Sequence, residues 1–124
     1  MKMLQIAAIV LGFTAVFGVV LFAVGQRFPS TDRVWLPAAA HGAVGIAGFA
    51  GLLFALTGPA RGSTTGAANF GLLAAWFVGA GLVLAGYVFV ARLARRQVPA
   101  VVIGLHATLA VAGVVMLGAY LNAG

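Results

Sequence analysis

The amino-acid sequence predicts an all-α protein: a four-transmembrane-helix up-down bundle, built as a duplicated two-helix hairpin. Three observations carry this. Of the 124 residues, 64% are hydrophobic and 6% are charged, which lies outside the range of soluble domains. Four apolar stretches, at about 3–25, 34–56, 67–90 and 98–121, each exceed the roughly 20 residues that cross a bilayer core as a helix. The only two histidines, His41 and His106, stand 65 positions apart and head similar sequences, His-Gly-Ala-Val-Gly-Ile-Ala-Gly and His-Ala-Thr-Leu-Ala-Val-Ala-Gly. The spans occupy most of the chain, so it reads as one integral membrane domain over 1–124, with repeat halves of about 1–60 and 66–124.

The first stretch follows Lys2 and ends in Ala23-Val24-Gly25, features it shares with secretory signal peptides. Its apolar run is longer than the ~7–15 residues of a signal core, so it reads as a membrane helix. Phe28-Pro29-Ser30 begins the first connection, and Pro37 falls near the start of the second stretch, where proline is tolerated in a helix. Residues 58–66, Gly-Pro-Ala-Arg-Gly-Ser-Thr-Thr-Gly, form the connection richest in turn residues. Pro99 sets the entry to the fourth stretch. Connections this short make successive helices antiparallel.

The halves match around the histidines and less elsewhere. A shift of 65 lays Arg27 on Arg92, but Gly12 and Gly18 do not land on Gly71, Gly79, Gly81 or Gly86. A parallel repeat has its axis along the membrane normal, which puts both histidines at one depth. That depth is roughly 10–12 Å below the face carrying the first and third connections, at ~1.5 Å per residue.

The net charge of +6 has no soluble basic face on which to bind nucleic acid. It reads as topology. Arg27, Arg33, Arg92, Arg95 and Arg96 lie at one face, with Asp32, whereas Lys2 and Arg61 lie at the other. The positive-inside rule then puts the first and third connections in the cytoplasm and both termini outside, in a multi-pass protein of a bacterial inner membrane. Trp35 and Tyr120 read as interfacial anchors near span ends.

With no cysteine, thiolate metal sites, iron–sulfur clusters and disulfides are excluded. The single acid, Asp32, lies in a connection, which argues against a small multidrug-type antiporter needing a membrane-embedded carboxylate. Two histidines are too few for a zinc cage, and no set of residues suits hydrolysis. Copper is disfavoured because Met3 is at the opposite face and Met116 about three turns below His106.

An imidazole in hydrocarbon is costly without a partner and is a functional candidate by default. Two at one depth suggest one object held between them. Gly45 and Gly48 share the face of His41, Ala110 and Gly113 share that of His106, and Ala38 lies one turn above His41. Small residues let a flat macrocycle approach the backbone, and imidazole is a standard axial ligand of haem iron. Arg27 and Arg92 are placed to pair with haem propionates. The sequence thus points to one haem b, its iron held by His41 and His106. Small residues are also the packing code of membrane helices, and a membrane histidine can simply hydrogen-bond a carbonyl.

In architecture, the chain resembles the membrane b-type cytochromes, including the cytochrome b, cytochrome b561 and copper-resistance D-like groups. Many of these carry two haems and four histidines, whereas two histidines suffice for one. The resemblance implies single-haem, single-electron transfer near one face, with a quinone or within a larger membrane redox complex, rather than an independent enzyme. A homodimer sharing the ligands is a further possibility. Two other readings stand beside it: a cofactor-free accessory subunit of a membrane complex, and a quinone-binding anchor using a histidine.

Overall fold

The computed structural model describes residues 2–27 and 35–123. They form four helices: α1 (Lys2–Arg27), α2 (Trp35–Leu56), α3 (Phe70–Leu93) and α4 (Ala100–Asn122). All four are long and apolar enough to cross a membrane, and there is no strand among the described residues. The chain is a multi-pass four-helix bundle. Phe28-Pro29-Ser30, Asp32, Arg33 and residue 34 lie outside the described residues.

The observed ends differ by a few residues from those set by hydropathy. α3 starts at Phe70 rather than at 67, because Ala67–Asn69 are held in a turn by Ala67 N–H to Gly62 O (3.0 Å) and Phe70 N–H to Ala67 O (3.0 Å). It runs on to Leu93 and closes when Arg95 N–H reaches Arg92 O (3.0 Å) and Arg96 N–H reaches Ala91 O (2.8 Å). That pair of bonds is a Schellman closure, and its left-handed position usually holds glycine. Here it holds Arg95, at φ +54°, a conformation that costs an L-residue roughly 1–2 kcal/mol. α4 begins just after Pro99, whose extended backbone (φ −58°, ψ 137°) leads into the helix.

α1 packs most extensively on α2 and α3 on α4, with lighter contacts of α2 on α3 and α1 on α4. This order around the bundle puts α2 and α4 on a diagonal. The core cluster of Leu4, Ala7, Leu11, Leu52, Ala74, Ala75, Val78, Leu117 and Tyr120 draws on the early turns of α1 and α3 and the late turns of α2 and α4. It therefore lies in the half of the membrane away from the histidines. Close helix approach sets its geometry: a Cβ at Gly113 would lie 2.6 Å from Val78 Cγ2 and 3.2 Å from the Val78 backbone nitrogen. Outward-facing Ile9, Trp76, Val83 and Val101 are the lipid-facing surface expected of such helices.

The 57–69 connection is tied to the end of α4. Arg61 N–H donates to the Tyr120 hydroxyl (3.1 Å) and Arg61 Nη2 donates to Leu121 O (3.1 Å). The left-handed turn at Gly62 (φ +70°) brings the segment in, where Cβ atoms of Ala123 and Ala67 leave no space for a side chain. Tyr120 is accordingly 5% exposed and lies against Gly71. It is a buried ring bonded to a loop, not the interfacial anchor its position near a span end suggests.

Leu117 is fully buried, so Leu117→Ala is expected to cost about 2–5 kcal/mol by transfer and cavity terms. Reversible unfolding in mixed micelles measures this. Val101→Ala, at a lipid-facing position, is expected to change stability by less than about 0.5 kcal/mol.

Candidate functional site

His41 and His106 are each the seventh residue of their helix. Both helices begin at the same membrane face, so both side chains sit about 9 Å along the axis from it, at ~1.5 Å per residue. The diagonal placement of α2 and α4 turns matched depth into proximity. The imidazole centroids are 6.3 Å apart and the ring planes meet at 86°.

The two rings are held differently. His106 Nδ1 lies 2.8 Å from the carbonyl oxygen of Gly81 on α3. A carbonyl only accepts, so Nδ1 carries the proton, and a neutral ring keeps its lone pair on Nε2. Tethering one imidazole nitrogen in this way fixes tautomer and orientation in metal-ligating histidines. α3 and α4 run close beside this tether: a Cβ at Gly81 would lie in ordinary contact, 3.7 Å from Ala110 N and 3.8 Å from His106 O.

His41 rests on α1. A Cβ at Gly18 would lie 2.8 Å from His41 Cε1 and 3.3 Å from Nε2, so the ring occupies the volume that any larger residue would fill. Phe17 flanks it at 6.1 Å between centroids and stacks in turn on Phe13 at 6.3 Å. His41 Nδ1 is buried and has no hydrogen-bond partner among the described residues. A buried polar atom left unpaired in hydrocarbon is costly and calls for an explanation.

The remaining residues singled out from the sequence separate into two groups. Gly45 faces Leu82 and Thr14, Gly48 faces Leu11 and Val10, and Gly113 faces Val78. Their buried faces are thus occupied by side chains of neighbouring helices. Ala110 is half-buried where α4 meets Gly81. Arg27 and Arg92 are exposed in the last turns of α1 and α3, at the face nearer the histidines.

Same-helix spacing missed Gly18 and Gly81, which belong to the helix preceding each histidine. The two glycines are two residues out of register under the 65-residue shift. Depth counting would not have found Gly81: on α3 it is Gly86, seven residues from the helix end, that matches the histidines' depth, and a Cβ there meets nothing within 4 Å.

No protein-family model, curated protein or solved structure matches the chain. The site is read from its own chemistry. Among the described residues no three or more His, Cys, Asp or Glu side chains come together, so what converges is a pair of imidazoles.

Proposed function

We propose that this chain is a small b-type cytochrome that holds one haem through His41 and His106 and passes single electrons within the membrane. The observation that carries this is the 6.3 Å separation of the two rings. Two imidazoles this close could each offer one ring nitrogen to the same metal ion, with metal–nitrogen bonds of about 2 Å. The Gly81 tether, which leaves Nε2 of His106 with its lone pair, supports the same reading. The main core cluster lies in the opposite half of the bundle, so the histidine pair is not part of it.

When bound, the haem supplies a one-electron iron couple. His41 and His106 would hold it, and the surrounding apolar helices exclude water, a lever on reduction potential. Arg27 and Arg92 would meet its propionates at the interface. Electrons would be exchanged with a quinone, with other membrane redox subunits, or with a second copy. In this reading the arginine-rich face is cytoplasmic and both termini lie outside a bacterial inner membrane. An accessory subunit whose histidines make only structural hydrogen bonds would account for the His106–Gly81 contact equally well.

The test is a dithionite-reduced minus air-oxidised spectrum of the detergent-purified protein, with a pyridine haemochrome assay. The expected result is a sharp α band in the b-type region, with one haem per chain. A protein that stays colourless after expression with added haem overturns the reading and favours the accessory-subunit or quinone-anchor alternatives.

A further inference from the structure

We propose that Arg92, Arg95 and Arg96 form a binding site for the headgroup of an anionic phospholipid. The proposal does not rest on the haem reading, in which Arg92 alone of the three has a part. The three arginines cluster at the end of α3, and all are exposed. Arg95 is the only non-glycine residue with positive φ among the described residues. Its position in the Schellman closure suits glycine, and this chain uses 18 glycines elsewhere. Favourable charge at the helix C-terminus is already supplied by Arg92 and Arg96. The helix end therefore gains nothing from arginine at this strained place that glycine would not give it. What arginine adds is a third guanidinium on one turn.

Three exposed guanidinium groups on so short a segment favour an anion, and the chain's one acidic residue, Asp32, lies outside the described residues. Guanidinium donors match phosphate oxygens in paired hydrogen bonds. The anion is assigned to a lipid by what lies below the cluster. Val90 and Leu93, 63% and 66% exposed, continue the lipid-facing surface of α3 up to the arginines. A molecule with a phosphate above and an acyl chain below meets both features, whereas free phosphate meets only the first.

The experiment reconstitutes the full chain into nanodiscs of mixed phosphatidylglycerol and phosphatidylcholine, then measures protein-retained lipid by native mass spectrometry. Each basic residue near an anionic surface is worth about fivefold in partitioning. Wild-type protein is expected to enrich phosphatidylglycerol by at least about 10-fold over the bulk ratio, and R92Q/R95Q/R96Q to fall to within about twofold of it. Arg95→Gly alone should lower the enrichment about fivefold while leaving the thermal midpoint unchanged or raised, since glycine relieves the left-handed strain. Lys2→Gln, at the opposite face, should retain the wild-type enrichment. The proposal is overturned by equal enrichment in wild type and the triple variant, by Arg95→Gly binding as wild type, or by Lys2→Gln losing as much as the triple variant. It is also overturned if inorganic phosphate abolishes the enrichment, or if an acidic protein is retained without lipid preference.

Discussion

Replacing His41 or His106 with alanine is expected to lower haem retention by more than about 100-fold, because even the outer-shell partners of a metal ligand are worth 10–100-fold in affinity. Either substitution removes one of the two imidazoles that face each other at 6.3 Å. Both variants should still insert and keep their helical content. The rings are only half-buried, and the core cluster of Leu52, Leu117 and their neighbours lies in the other half of the bundle. Haemochrome stoichiometry and far-UV circular dichroism on the same samples separate loss of ligand from loss of fold. Haem retained in full by both single variants would sink the bis-histidine assignment. His106→Ala also removes a second hydrogen bond to Gly81 O, which keeps its helical donor within α3, so stability should fall by about 0.5–1.5 kcal/mol, the net worth of one hydrogen bond.

Gly18→Ala gives the second large effect without touching a ligand. The added methyl group would sit 2.8 Å from His41 Cε1, closer than carbon atoms approach, so the ring or α1 must move. Overpacking of this kind costs about 1–3 kcal/mol, enough to lower haem affinity by roughly 5- to 150-fold if borne by His41 alone. Gly12→Ala is the matched control. It adds the same methyl group to the same helix with nothing within 4 Å, and helix propensity favours alanine by about 1 kcal/mol. The expected pattern is an altered or lost α band in Gly18→Ala beside a normal spectrum in Gly12→Ala. Identical spectra in both would mean that Gly18 does not position the His41 ring.

The four helices were legible because crossing a bilayer requires a length and an apolarity that this composition meets four times. The depth of the histidines was legible too, since the motif counts residues from each helix start. The neighbours of the histidines were not. In a helix that is apolar all round, no polar face tells which side turns inward, so rotation about each axis is settled by packing. That is why Gly48 and Gly113, chosen from the histidines' own faces, meet Leu11 and Val78, while the rings rest on Gly18 and Gly81 of other helices. Tyr120 shows the same limit. Its place in the sequence fits a lipid interface, but the Arg61 loop folds back over it.

Each histidine belongs to a different hairpin, and each hairpin packs more extensively within itself than across to the other. On the proposed haem reading neither half would own a binding site; the site would exist only at the seam. Two polypeptides, one ending and the other beginning within the 57–69 connection, should remain dark when made separately and gain colour when produced together. The cofactor would then act as a gauge of assembly, recording in its absorbance whether the two membrane-inserted halves have found one another.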